Sequence, residues 1–591
     1  MNVINSSAST PAEIVAQWSA AFEEALALWS RFTKMRQPVW CFTKADTLRE
    51  GLTDSFAMIR LTDQTICIDV SQIAAKRLDR FALQILAHEI GHHVFCPATL
   101  LEQGRMLAHM RYALPTIESA APLVANLYAD LLINDRLHRS NGLDMAAVYK
   151  TLEASADSKR ESSKLWKLYM RIYEVLWSLP SGELVNPASL DDTLRGDALL
   201  GARLIRSYAR DFLRGSGRFA ALCLPYIADE NNLGDLMRGW HDTRATATGA
   251  SEPPAGLAEL DDGELSGAIH PSMDPELSGL DDAEPPAEAS TSSQQTGSSG
   301  SQYREPFQYG EILKSMGLNM SDHEIAVRYY RERALPHLIR FPEREMPMTT
   351  EPVPEGLELW HIGDPIEELS LMDSVLLNPR VVPGLTTMKR VWGDSPGVER
   401  SKRPLDLDLY VDCSGSMPDP QHTTSFMALS GAILALSALR SGARVQATLW
   451  SGPRQFEMTK GFVSDPLAVL RIVTGYLGGS TAFPIHVLRD TYTADRPEER
   501  PAHIAIVSDD GVDTMYAQDE RGGDGYIIAG EALRRAGGGG TLLLNIWPGH
   551  ETSPPMVRAK EQGWDIHGVR NLEDMVAAAR AISRARYGKS E

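Results

Sequence analysis

The chain of 591 residues carries a formal net charge of −20, with 43% hydrophobic and 23% charged residues. It is too long for a single core, so about two to four domains are expected, and no apolar run reaches the length that spans a bilayer. Residues 251–300 hold eleven Asp or Glu and no Lys or Arg, a charge of −11, so the acidity is mostly local and no basic stripe is left to meet nucleic acid.

From the N-terminus the pattern is mainly helical. The opening MNVINSSASTPAEIVAQW has no basic region followed by an apolar core, which predicts no signal peptide. AEIVAQWSAAFEEALALWSRF spaces its apolar residues helically and TICIDVS alternates like a short strand; helices are predicted over 81–95, 121–138 and 164–177. From about Thr243 to Gln302, Pro, Gly, Ser and acid dominate and aromatic residues are missing. Such a stretch has too little apolar surface to offset its ordering entropy, so a disordered acidic tether is predicted. HEIAVRYYRERALPHLIRF reads as a helix interrupted at Pro336, and a less regular segment with several prolines runs on to about Arg403.

From Leu405 strands and helices alternate. LDLDLYVD, RVQATLWS, HIAIVSDD and TLLLNIW read as strands. Helices fall over SFMALSGAILALSALRSG, near 467–477, over AGEALRRAGGGG and over NLEDMVAAARAIS. Strands this apolar, alternating with helices, predict a parallel sheet covered on both faces, a doubly wound α/β domain. The division is then a first domain at 1–150, a helical extension at 151–242, the acidic linker at 243–303, a helical or irregular connecting region at 304–404 and the α/β domain at 405–591. The fold class is multidomain, α+β followed by α/β. Five scattered cysteines without a CxxC pair (Cys41, Cys67, Cys96, Cys223 and Cys413) predict no disulfide framework and fit a reducing cytoplasm.

Two stretches carry chemistry. In LAHEIGHHVF, His88 and His92 are four residues apart on a predicted helix, so both imidazoles project from one face and suit one Zn²⁺. Glu89 stands beside them, where its carboxylate can take a proton from water. His93 lies about 100° further round and is not expected to join the same ion. Two histidines rarely hold zinc alone, so a third ligand is sought in ANLYADLLINDRL, where Asn126, Asp130 and Asn134 form a polar stripe on an apolar helix. Glu118, His109 and Cys96 are weaker candidates.

HEIGH followed by NLYAD resembles the zincin metallopeptidases that pair HExxH with a later helix of form ExxxD. In those the Glu ligates zinc and the Asp orients a histidine. Asn126 stands here at the place of that Glu, a departure that moves the ligand role to Asp130, with Asn126 as the alternative. The resemblance is closer to metallopeptidase-type domains joined to a C-terminal von Willebrand A domain in bacteria, and it covers about Phe56 to Arg139. It implies His88, His92 and Asp130 as zinc ligands with Glu89 as the catalytic base.

The second stretch, DCSGSM, directly follows the first strand of the α/β half, at the carboxyl end where open sheets bind ligands. Asp412, Ser414 and Ser416 offer oxygen ligands only, a set for Mg²⁺ or Ca²⁺ rather than zinc. GGSTAFP supplies Thr481 and IVSDDG supplies Asp509, preferred over Asp510. In order and spacing these resemble the von Willebrand A fold with its metal-ion-dependent adhesion site, across Leu405–Tyr587. The resemblance implies that the five residues surround one divalent ion whose open position takes a partner's carboxylate. Intracellular bacterial A domains of this kind commonly serve a separate MoxR-type AAA+ ATPase, and this chain has no GxxxxGK[ST] loop of its own. The expectation is a zincin-like peptidase module, with a protein or peptide substrate, tethered to a docking domain that works with such an ATPase in a bacterial stress or defence role. Partners in nucleic acid or membrane are not expected. The alternative is a non-catalytic adaptor with a lapsed or structural zinc site.

Overall fold

The computed structural model describes residues 10–30, 32–52, 55–155, 163–228, 243–244, 253–261, 264, 268–278, 303–345, 350–396, 402–492, 500–547, 549–571, 574 and 577–578. The chain divides into two units, one of residues 1–332 with 421–423, the other of residues 333–420 with 424–591.

In the first unit, α1 (Pro11–Ala27) begins at a capping box between Thr10 and Glu13 and buries Ile14, Trp18, Phe22, Ala25 and Leu26 at helical spacing. A small sheet has the order β1–β3–β2–β4, from β1 (Val39–Cys41), β2 (Ala57–Arg60), β3 (Thr65–Asp69) and β4 (Thr243–Arg244). β2 and β3 are antiparallel; the other pairs are parallel. Short helices α2 (Lys44–Glu50) and α3 (Val70–Ala75) follow β1 and β3, the latter capped by Asp69. Then come α4 (Ala82–Val94), α5 (Leu100–Ala113), α6 (Ala121–Asn141), α7 (Met145–Ser155), α8 (Lys164–Leu176), α9 (Asp192–Ser207), α10 (Phe212–Ala228), α11 (Pro306–Ser315) and α12 (Asp322–Ala334). The helices expected over 81–95, 121–138 and 164–177 are thus α4, α6 and α8. The strands β1 and β2 are too short to announce themselves by alternation.

α4 packs on α1, β2 and α6. At Gly91 the contact is so close that a Cβ would stand 2.6 Å from Ile133 Cγ2 and 2.7 Å from Trp29 Cζ2. The glycine therefore serves helix packing. α6 is buried over nearly its whole length, Asn126, Asp130 and Asn134 included, and ends at Gly142 in the left-handed conformation (φ +69°).

Within the stretch expected to be an unstructured linker, residues 253–261 and 268–278 depart from that expectation. Leu257, Ala258 and Leu277 are buried, and so is the ion pair of Asp274 with Arg218 on α10. Burying each leucine contributes about 1.5–3 kcal/mol, enough to order a short strap where composition averaged over sixty-odd residues gave no sign of it. The rest of the linker, apart from 243–244 and 264, lies outside the described residues, as does most of the closing helix expected over NLEDMVAAARAIS.

In the second unit β5 (Glu343–Glu345) pairs with β9 (Lys402–Pro404). Between them β6 (Thr350–Leu359), β7 (Leu369–Ser370) and β8 (Met388–Pro396) form an antiparallel sheet, with α13 (Leu371–Leu377) after β7. Two of the prolines that made this region read as irregular, Pro352 and Pro354, sit on β6, an edge strand whose pairing with β8 shifts register between Pro354 and Gly356.

The main sheet has six strands in the order β12–β11–β10–β13–β14–β15: β10 (Asp406–Asp412), β11 (Val445–Trp450), β12 (Phe456–Met458), β13 (Ala502–Ser508), β14 (Gly537–Leu544) and β15 (Trp564–Gly568). All pairs are parallel except β11–β12. α14 (Phe426–Arg440) and α15 (Pro466–Val473) cover one face, where a Cβ on Gly431 would touch Val411 and Val473. α16 (Ile485–Thr491), α17 (Gly525–Ala536) and α18 (Pro554–Gln562) close the other over Tyr410, Ile504, Ile506, Leu542 and Leu544. β14 starts four residues earlier than TLLLNIW predicts, inside the glycine run: a Cβ on Gly538 would strike Ala502 O and one on Gly540 the Trp564 ring. Among the described residues no helix is long and apolar enough to cross a membrane.

Candidate metal centres

α4 and α6 bring three electron-pair donors together. His88 Nε2 and His92 Nε2 are 3.2 Å apart, and Asp130 Oδ1 lies 3.6 and 3.4 Å from them. Ligand atoms around a tetrahedral zinc with bonds of about 2.0–2.1 Å stand about 3.3 Å apart, so this triangle fits the ion.

The surroundings fix which atoms face inward. His92 Nδ1 is 3.1 Å from the Cys96 carbonyl oxygen, which only accepts, so the ring proton sits on Nδ1 and Nε2 presents its lone pair. His88 Nδ1 is 2.7 Å from Asn134 Oδ1. The amide orientation follows from the other side, where Asn134 Nδ2 donates to the hydroxyls of Tyr149 and Tyr173, each at 2.9 Å. Asp130 turns its second oxygen away from the histidines, where it accepts from Asn126 Nδ2 at 3.2 Å and Tyr169 at 3.4 Å. Burial above all pushes the Tyr169 and Tyr173 phenols well up, so they stay neutral hydrogen-bond donors.

Each expected residue can now be placed. His88, His92 and Asp130 converge, while Asn126, the alternative ligand, orients Asp130. Asn134 orients His88. Glu89, 2% exposed, lines the same cavity as His88 and Asp130. Cys96 contributes its carbonyl, and Glu118 pairs with Arg111. The three tyrosines went unnoticed in the sequence. Tyr169 and Tyr173 do share a helix face with the polar stripe's spacing, a signal that only a partner helix makes readable.

A second buried group, also able in principle to hold a cation, is His109 with Asp261 and Glu264. His109 Nε2 lies 2.8 and 2.9 Å from the two Asp261 oxygens, and Glu264 pairs with buried Arg304. These are hydrogen-bond separations with a cationic partner already supplied, so the cluster is built as an ion-paired clasp. Burial works to raise the Asp261 carboxyl, but His109 outweighs it and holds it below its usual range.

In the second unit the strand order reverses between β10 and β13, which opens a crevice at their carboxyl ends. Asp412 ends β10 with Oδ1 accepting from Ser414 N–H at 2.8 Å and Oδ2 from Ser508 at 2.6 Å. Ser414 and Ser416 hydroxyls are 3.1 Å apart, and Ser416 donates to Asp509 Oδ2 at 2.9 Å. Gly415 N–H bonds Gly479 O at 2.9 Å, and Gly478 and Gly479 take left-handed φ of +63° and +97°, which brings the glycine loop against DCSGSM. Thr481 lies against Gly511: a Cβ there would be 2.4 Å from its methyl. Burial raises the Asp412 carboxyl and the Asp509 charge adds to it, against hydrogen bonds from Ser508 and Ser414. An all-oxygen cluster with two close carboxylates fits a hard divalent cation. Asp509, not Asp510, is the residue that meets Ser416.

Comparison with protein-family models, with curated proteins and with solved structures finds no match for this chain.

Proposed function

We propose that the first unit is a zinc-dependent peptidase module of the zincin kind, and that the second is a von Willebrand A-type domain that docks a partner's carboxylate through Mg²⁺ or Ca²⁺. The observation that carries the first part is the His88–His92–Asp130 triangle, with each histidine's other nitrogen held by an oxygen. Bound zinc supplies Lewis acidity toward a scissile carbonyl and toward water. Glu89 is the proton acceptor for the attacking water and passes the proton to the leaving amine. Asn134, Cys96 and Asn126 keep the donors oriented.

The docking part rests on the oxygen cluster around Asp412 and on the resemblance of its loops. A MoxR-type AAA+ ATPase is the proposed partner, since the chain lacks a phosphate loop, and a reducing cytoplasm suits its free, buried cysteines. One observation favours a non-catalytic adaptor with a structural zinc instead: His92 is fully buried and Glu89 nearly so.

Zinc content per chain, measured by elemental analysis beside a His88→Ala/His92→Ala control, tests the site. About one zinc per chain, lost in the control, is expected. Glu89→Gln should keep the metal and abolish peptide hydrolysis. Zinc without hydrolysis in the unmodified chain selects the adaptor with a structural zinc; no zinc removes the peptidase reading and leaves an adaptor with a lapsed site.

A further inference from the structure

The cavity beside the zinc triangle has two kinds of wall. His88, Glu89, Asp130 and Asn134 form the polar one. Phe56 and Ile85 face it together with Met145, Val148, Tyr149 and Leu152, the i, i+3, i+4 and i+7 positions of α7. An amphipathic helix normally presses its apolar face onto a neighbour. Here that face closes on a cavity that also holds the proposed catalytic carboxylate. A mere packing gap is apolar throughout, and this one is not.

We propose that this cavity receives an uncharged, apolar side chain of the substrate, and that α7 is the wall that selects it. The proposal rests on the zinc-peptidase reading above. The charged groups in the lining are the carboxylates Glu89 and Asp130, with no Lys or Arg among the lining residues. An acidic side chain therefore meets repulsion without a counter-charge. A basic one must compete with the metal for those carboxylates and leave its ammonium among Phe56, Val148 and Leu152, which is costly without a partner. An aliphatic side chain instead buries its surface against Val148 and Leu152, for which a few methylenes are worth about tenfold or more in affinity.

The test uses the zinc-loaded full-length chain and calorimetric titration with acetohydroxamate, which has no side chain, and with the N-acetylated hydroxamates of leucine, aspartate and lysine. Expected is binding of acetohydroxamate, with the leucine compound about tenfold or more tighter and the aspartate and lysine compounds no tighter than acetohydroxamate. In Leu152→Lys, at a partly buried position, the leucine compound should lose about tenfold relative to acetohydroxamate and the aspartate compound gain relative to it. Val148→Ala should shift preference toward the larger phenylalanine hydroxamate. If acetohydroxamate binds but the three side chains are not distinguished, or lysine is preferred, the proposal is overturned while the zinc reading stands. If acetohydroxamate does not bind the zinc-loaded chain, the zinc-peptidase reading fails and the proposal with it.

Discussion

Asn134 Oδ1 stands 2.7 Å from His88 Nδ1 across the contact of α6 with α4, so a buried amide sets the tautomer of an imidazole forty-six residues away in sequence. The amide is itself held by Tyr149 and Tyr173. A neutral His88 can face a metal only with the proton on the far nitrogen, and Asn134 keeps it there.

Asn134→Leu should therefore weaken zinc binding about 10–100-fold, as loss of an orienting partner commonly does. Competition against a chelating dye reads this directly, with circular dichroism to confirm that the helices persist. Unchanged affinity would show that Asn134 serves the core alone.

Gly91→Ala pits two effects against each other. Alanine gains about 1 kcal/mol of helix propensity over glycine. Its Cβ, 2.6 Å from Ile133 and 2.7 Å from Trp29, forces a repacking that costs about 1–3 kcal/mol. The clash, which falls on two side chains at once, should win, and α4 should shift against α6. Denaturant unfolding of the variant is expected to move to a lower midpoint, with weaker zinc binding beside it. A stabilised variant with intact zinc affinity would mean that the contact is looser than it stands.

Much of this centre was legible because helical periodicity is local. Four-residue spacing set His88 with His92 and set Asn126, Asp130 and Asn134 in a stripe, and a buried polar stripe demands partners. That Asp130 meets the histidines was expected from the resemblance; that Asn134 meets His88 Nδ1 was not legible, because it depends on how α6 is rotated against α4. The sheet of the second unit was readable from its apolar runs. β15, with the mixed pattern WDIHG, and β12, with three residues, were not. The strap was hidden for another reason: Leu257, Leu277 and Asp274 find their partners on helices far away in sequence, which composition averages out.

The oxygen cluster of the second unit should respond to a hard cation. Millimolar Mg²⁺ or Ca²⁺ is expected to raise the unfolding temperature of the full chain, since an ion that binds only the folded state adds stability with its concentration. Asp412→Ala should abolish the response, and Ser416→Ala should reduce it. EDTA should reverse it in the unmodified chain. An equal shift in Asp412→Ala would place the ion elsewhere.

The strap gives a pH dependence whose sign is set by Asp274. Burial works to raise this carboxyl, but hydrogen bonds from Tyr208, the Glu276 backbone and Arg218 outweigh it and hold it below its usual range. A carboxyl depressed in the folded state contributes its stability above the unfolded value of about 3.9 and loses it as pH falls through the folded value. Asp274→Asn leaves Arg218 buried without its counter-charge, so it should cost roughly 3 kcal/mol near neutral pH. The difference from the unmodified chain should shrink as pH drops below about 4, where Asp274 of the unfolded chain takes up its proton, and be lost as pH falls on through the lower folded value. Denaturant unfolding at a series of pH values, with hydrogen exchange across 268–278 to localise the change, measures both. A difference that stays constant down to acid pH would mean that Asp274 acts through shape and not through charge.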